Sequence, residues 1–507
     1  MLHLSLMHLK NICFMKKTAT LFFFLLLFFA NGQRRNISVD TIVVTNHTTT
    51  IKNQVIKYQA QAGTQPVWDS IGRPIATLFY TYYKRVDVKN YNKRPLIFSF
   101  NGGPGSGSVW MHIAYTGPKI LKINSEGYPI QPYGYKNNPY SILDVADIVF
   151  INPVNTAYSR ILEIDGKKAD REQFFGINED IEYLAEWLNT FVTRKERWES
   201  PKYLIGESYG GTRVMGLSAE LQEKQWMYLN GVIMVSPADY KVIRVGGPVS
   251  SALNLPYFSA TAWFHKKLDI KLQQKDLTDL LPEVEKFTID KLIPAIAKGG
   301  FILDNERREI ASKMSFYSGL SQESILSNNL DVPDHFFWKD LLRDQGKTIG
   351  RLDSRYLGID RKDAGIKPDY NAELTSWLHS FTPAINHYIR KDLKFKTDIK
   401  YNMFGPVHPW NNDNDNTRED LRRAMAENPY LNVLIQSGYY DGATTYFNAK
   451  YTMWQVDPSG KLKNRFKFKG YRSGHMMYLR NEDLKNANED LRNFILNTLT
   501  NGLPAKY

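Results

Sequence analysis

Cysteine is almost missing from this sequence: Cys13 is the only one among 507 residues. It precedes the apolar run at residues 21–30 instead of ending it. A mature chain is therefore expected to have no disulfide, no cysteine nucleophile and no lipid-bearing cysteine. Long hydrophobic stretches are equally scarce. The 21–30 run has about half the residues that a bilayer-spanning helix needs, and no later stretch replaces it, so no stable membrane anchor is expected. The net charge is +13, but Lys and Arg are scattered and form no blocks, which reads as a soluble basic surface and not as a nucleic-acid-binding face. No internal repeat is present, which argues against a solenoid. Hydrophobic residues at 43% and charged residues at 23% exclude a mainly disordered or fibrous chain. The length suits about three domain-sized units, or one large core carrying insertions.

What is present begins with an export pattern. Lys16 and Lys17 precede the apolar run, and Ala30 and Gly32 stand three and one positions before Gln33, the small-residue spacing of a signal peptidase site. Residues 1–32 are read as a signal peptide and Gln33 as the first mature residue; Met15, directly before the lysines, is an alternative start. An exported chain of this size without disulfides fits a secreted or periplasmic bacterial protein.

Residues 41–85 read as antiparallel strands around the turn at Ile71, Gly72, Arg73 and Pro74. Short apolar runs at 96–100, 148–151, 203–205, 232–235 and 433–435 each stop at loop formers, as expected of strands buried on both faces of a mostly parallel sheet. After Gly210 and Gly211 the period changes, with Val214, Leu217 and Leu221 at helical spacing. The alternation predicts an α/β core. Residues 251–400 carry helical patterns and read as an inserted cap, with Pro294 expected to kink the helix at 289–296. The core is thereby split into 33–250 and 401–507, with strands resuming only after Asn432. The polar run at 411–416 lacks the central Gly and closing Glu of a calcium loop, so it reads as a loop ahead of a helix starting near Thr417.

Residues 206–210 match G-x-S-x-G, directly after a strand and directly before a helix. A nucleophile on so sharp a turn needs small neighbours, which Gly206 and Gly210 supply, and the helix N-terminus favours a developing negative charge. Ser208 then requires a base oriented by an acid, in the chain order Ser, Asp, His of the α/β hydrolases. His475 is the one histidine after His408 and follows the alternating strand at 466–469. Lys467 and Lys469 on that strand read as its solvated face near the sheet edge. Asp441 lies just past the strand at 433–440, with Asp239 as the reserve acid. Residues 101–105, Asn-Gly-Gly-Pro-Gly, can bring backbone amides close to an oxyanion or a carboxylate.

Residues 101–105, 206–211, 437–441 and 473–476 together resemble the serine carboxypeptidase family, in the right order, and the similarity spans most of residues 70–490. Asn152, Pro153, Tyr158 and Ser159 are similar to another loop of that family. The resemblance implies an α/β-hydrolase fold with a mostly parallel central sheet and an inserted helical cap. It also implies Ser208 as nucleophile, His475 as general base and acid, and Asp441 as its orienter. The amides of Gly103 and Tyr209 would form the oxyanion hole. Asn101, Gly102 and Glu207 would bind the free C-terminal carboxylate of a peptide substrate, with no metal or organic cofactor. Two carboxylates in one dry site repel, so Glu207 must be protonated when substrate binds, which favours acidic pH.

The sequence departs from the family pattern at three places. Tyr115 stands where a second glutamate, paired with the first, is common; Ser106 replaces a usual cysteine and Ser99 a usual tryptophan. The acid pair therefore lacks its second carboxylate. Tyr115 motivates an alternative in which the same triad cleaves esters or transfers acyl groups. A catalytically silent peptide-binding protein is a more remote one.

Overall fold

The computed structural model describes residues 36–238, 248–413, 416–500 and 502–506. The expected signal peptide, Cys13, Gln33 and the reserve acid Asp239 lie outside the described residues.

Nine principal strands build one sheet. They are β1 (Thr41–Ile51), β2 (Gln54–Trp68), β3 (Pro74–Arg85), β4 (Leu96–Phe100), β5 (Asp147–Ile151), β6 (Lys202–Glu207), β7 (Gly231–Val235), β8 (Asn432–Gly438) and β9 (Phe466–Tyr471). Their order across the sheet is β1-β2-β3-β5-β4-β6-β7-β8-β9, with the short pair Arg160–Ile161 added beside β3. The first three strands and the β3–β5 contact are antiparallel, whereas β5-β4-β6-β7-β8-β9 are parallel throughout. Every residue of β4, β5, β6 and β7 is buried, the state that continuous apolar strands adopt when helices cover both faces. β9 is an edge strand, and Lys467 and Lys469 lie exposed on it, as their alternation with apolar residues predicts.

The helices that pack on the sheet include α1 (Ile177–Arg194) and α2 (Tyr209–Lys224). In α1 the residues Ile177, Ile181, Leu184, Leu188 and Val192 recur at helical spacing and are buried; complete burial of such a side chain is worth about 1.5–3 kcal/mol. Glu179 and Asp180 in its first turn and Arg194 in its last suit the helix dipole.

Between β7 and β8 the chain is mainly helical. The helices Leu255–Phe264, Leu277–Phe287, Asp304–Ser318 and Asp334–Asp340 share their own apolar cluster, including Phe258, Val284, Met314 and Phe337. Two details add to the sequence reading. Pro294 lies inside one continuous helical run, Leu277–Phe287, Thr288–Leu292 and Ile293–Ala297, whose middle segment is π-helical; the wider turn directly before the proline accommodates its missing N–H. A two-residue ladder, Thr348–Ile349 with Leu357–Gly358, also appears before Asn432, too short to leave a sequence pattern. The loop at 411–413 leads to the helix Thr417–Glu427, and Asn411 Oδ1 accepts from the Asp413 amide at 2.8 Å.

Among the described residues, those within 39–396 and 400–506 form one compact unit, and residues 36–38 and 397–399 the other, in which the Ile399 amide donates to Thr397 Oγ1 at 3.3 Å. Among the described residues no helix is long and apolar enough to cross a membrane.

Candidate active site

The strand register explains why residues far apart in sequence converge. Phe100 faces Gly206, Gly206 faces Met234, Met234 faces Ile435 and Ile435 faces Phe468. These strands are parallel, so the loops after them open at one edge of the sheet, where α/β proteins bind ligands. Asn101 directly follows β4, Ser208 follows β6, Asp441 sits on the turn after β8, and His475 on the loop after β9.

Ser208 occupies the hinge between β6 and α2 with φ 60° and ψ −125°, a conformation that L residues rarely adopt. Its amide donates to the Val235 carbonyl at 2.9 Å, and its carbonyl accepts from the amides of Gly211 at 2.8 Å and Ala238 at 3.0 Å. The hinge is that tight because Gly206 and Gly210 touch: a side chain on Gly206 would collide with the Gly210 carbonyl. Ser208 is half-buried while both of its neighbours are buried, so the turn lifts this one side chain out of the packed run.

The loop after β4 lies against that hinge. A Cβ on Gly102 would come within 2.5 Å of the Tyr209 amide nitrogen and 2.9 Å of Ser208 Cβ, and Gly103 has φ 108°, so both positions require glycine. Asn101 Nδ2 donates to Glu207 Oε1 at 2.9 Å, and Asn101 Oδ1 accepts from the Met111 amide at 3.2 Å. Arg213 donates to the Asn101 carbonyl at 2.7 Å while pairing with Asp180 at 2.6 Å; both ionic side chains are buried. The α1–α2 layer thus clamps the loop from behind. Asn152, at the end of β5, accepts the Ser108 amide at 2.9 Å, and Ser159 Oγ donates to the Asn152 carbonyl at 2.6 Å. Ser106 Oγ accepts from Trp110 Nε1 at 2.6 Å.

Across the site, His475 Nδ1 lies 2.7 Å from Asp441 Oδ2. A carboxylate only accepts, so Nδ1 carries the proton and Nε2 is left as the acceptor. Asp441 Oδ1 also accepts from the amides of Ala443 at 2.9 Å and Thr444 at 3.1 Å. Burial, the largest single influence, would lower the His475 pKa, but the nearby carboxylates of Asp441 and Glu207 together outweigh it and the net direction is upward.

A loop from the helical insertion braces these two residues. The Arg351 carbonyl accepts from the Gly442 amide at 2.9 Å, the Leu352 carbonyl from the His475 amide at 2.7 Å, and Asp353 Oδ2 from the Gly474 amide at 3.2 Å. Asp353 is itself held by Arg355 at 2.6 Å.

Glu207 is buried, and burial pushes its pKa up to about 7 against the pull of His475, Tyr478 and Asn101. Its second oxygen, Oε2, accepts a hydrogen bond from the Tyr478 hydroxyl. Tyr115, at the site of the expected second glutamate, stacks on Tyr478 with ring centroids 4.9 Å apart and planes 8° apart. The sequence reading missed Tyr478, Thr444 and the 351–353 brace. Tyr478 stands three residues after His475, so its proximity to the site was available from the sequence, but its partner Glu207 was not.

Comparison with known proteins is consistent with this arrangement. The serine carboxypeptidase family model matches residues 69–482. Serine carboxypeptidase-like 36 of Arabidopsis thaliana is 28% identical over 174 residues, 33% of this chain and 33% of the relative. The retinoid-inducible serine carboxypeptidase of Rattus norvegicus is 28% identical over 172 residues, 33% of this chain and 34% of the relative. The matched segments thus span about a third of the length of these relatives. The crystal structure of a prohormone-processing carboxypeptidase from Saccharomyces cerevisiae superposes with a TM-score of 0.51 at 16% identity, covering 87% of this chain and 91% of that one. At that identity the likeness establishes the α/β-hydrolase fold.

Proposed function

The chain belongs to the serine carboxypeptidase family, and from that premise we propose that it removes the C-terminal amino acid from peptides through an acyl-enzyme on Ser208. The observation that carries the reading is the pairing of a nucleophile-type hinge at Ser208 with a buried Asp441–His475 couple at 2.7 Å and a buried acid, Glu207, directly before the hinge. In the proposed cycle Ser208 Oγ attacks the carbonyl carbon of the last peptide bond as His475 Nε2 takes its proton. Negative charge gathers on the carbonyl oxygen, where the amides of Gly103 and Tyr209 are suited to receive it. The C–N bond then breaks as His475 returns the proton to the leaving amine. Water, deprotonated by His475, attacks the ester carbon, and the shorter peptide leaves as Ser208 regains its proton.

Recognition of the free C-terminus is assigned to Asn101, Gly102 and Glu207. A protonated Glu207 can donate to the substrate carboxylate, whereas an ionised one repels it. Tyr115, which leaves Glu207 without a second carboxylate, favours a second reading in which the same triad acts on esters or transfers acyl groups. Export is part of the proposal, supported by the lysines, the apolar run and the small residues before Gln33, with the mature protein secreted or periplasmic.

The test uses the protein beginning at Gln33, with Ser208→Ala as control. N-blocked peptides with free or amidated C-termini are incubated from about pH 4 to pH 8, and the products are identified by mass spectrometry. Loss of single residues from free acids only, absent in the variant, is expected. Equal cleavage of amides, or labelling of Ser208 by a serine-reactive phosphonate without any trimming, would hand the site to the esterase or acyltransferase reading.

A further inference from the structure

Resting on the reading of Glu207 as the carboxylate binder, we infer that Tyr478 is a positioning residue for recognition of the substrate's C-terminal carboxylate: its neutral phenol, backed by Tyr115, fills the place beside Glu207 that a second carboxylic acid would otherwise take. Three sets of contacts carry this. Asn101 Nδ2 reaches Glu207 Oε1 at 2.9 Å and the Tyr478 hydroxyl reaches Oε2, so both oxygens have a donor and the carboxyl plane is set. The Tyr115 ring lies flat on Tyr478 at 4.9 Å, and both rings are buried. Tyr115 cannot swing away, because its hydroxyl donates to Gln436 Oε1 at 2.6 Å, Gln436 Nε2 donates to Tyr471 Oη at 2.7 Å, and Tyr471 donates to Asp490 at 2.9 Å.

The chemical consequence separates this site from a pair of acids. Two carboxyl groups in contact share one proton, and the pair keeps a negative charge until it takes up the second. Burial holds the Tyr478 phenol well above its ordinary pKa, so it stays a neutral donor through the working range. Glu207 therefore becomes neutral on binding a single proton. The groups that face it are Asn101, Tyr478, His475 and Asp441, with Tyr115 behind Tyr478, and none of them offers a second acid to share that proton except the triad's own Asp441, which is engaged by His475. Carboxylate binding thus persists to a higher pH than a diacid site permits.

The test compares wild type, Tyr478→Phe and Tyr478→Glu on a free-acid peptide and its C-terminal methyl ester from about pH 4 to pH 9. Phenylalanine keeps the stacked ring but removes a bond that favours ionised Glu207. The alkaline limb of kcat/KM for the free acid should therefore move up by about one pH unit, with the ester profile unmoved. Tyr478→Glu recreates a diacid pair and should cut free-acid turnover at pH 7 by about tenfold or more while the ester is still cleaved. Ester turnover also reports that each variant is folded. An unmoved limb in Tyr478→Phe, or equal losses on both substrates in both variants, would overturn the inference. Equal wild-type rates on free acids and amides would instead sink the reading of Glu207 itself, and the inference with it.

Discussion

Thr444 Oγ1 donates to Asp441 Oδ2 at 2.6 Å and stands 3.1 Å from His475 Nδ1, so one hydroxyl touches both members of the acid–base couple. The same Oγ1 lies 2.9 Å from the carbonyl of Ser236, just past β7, a second acceptor that competes with Asp441 for its single proton. The orientation of His475 therefore depends on a third strand end besides the two that carry the couple.

Two substitutions separate those roles. Asp441→Asn leaves the shape but can present a donor to Nδ1, forcing the wrong tautomer, and is expected to lower kcat by about 10⁴-fold with little change in KM. Thr444→Val removes one charge-assisted hydrogen bond and should cost about tenfold in kcat. Steady-state kinetics on a peptide and an ester check both, and the loss should be alike for the two substrates because the couple serves both.

The pH profiles of those substrates should differ in shape. His475 must be neutral to act as a base, so cleavage of an ester falls as pH drops through its raised pKa and is flat above it. Free-acid peptides need Glu207 protonated as well, which adds an alkaline limb near pH 7. A bell for the free acid and a single rise for the ester are expected from kcat/KM measured on the same protein. In Glu207→Gln the free-acid bell should lose its alkaline side.

Glu207 also sets a slope in stability. Its folded pKa, raised to about 7, exceeds that of an unfolded glutamate, so the folded protein holds more protons between the two values and stability falls as pH rises through that window. The loss from this group between about pH 4.5 and pH 8 is about 3 kcal/mol. Urea unfolding across that range should show it in wild type and should show it missing in Glu207→Gln.

Arg213 and Asp180 form a buried pair behind the Asn101 loop. Asp180→Asn strands the guanidinium without its counter-charge and should cost about 3–5 kcal/mol of stability. Arg213→Met removes the charge but also the donor to the Asn101 carbonyl. It should destabilise less than Asp180→Asn and raise KM for free acids more than for esters, as Asn101 drifts from Glu207; equal effects on both substrates would contradict that link.

The strand ends, the hinge at Ser208, and the positions of Asp441 and His475 were legible in the sequence because each depends on short-range chemistry. A buried strand is a continuous apolar run, and a turn this sharp needs glycine within two residues. Chain order then narrows the acid and the base. The antiparallel start at residues 41–85 was legible in outline, though the long β2 was not separated from its neighbours. Pro294 shows the limit of local rules: its disruption of a regular helix was legible, but the π-helical turn at Thr288–Leu292 that accompanies it was not.

The amino-acid sequence by itself determined the α/β core, the hinge geometry that only small neighbours permit, and a candidate triad ordered along the chain. Tertiary structure alone decided what touches Glu207, because Tyr478 lies 271 residues away and Tyr115 reaches it only through packing against that ring. It also decided that residues 351–353 of the helical insertion hold His475 and Gly442. Such contacts arise where parallel strands in register bring their loops to one edge, and no local pattern encodes which loop will meet which.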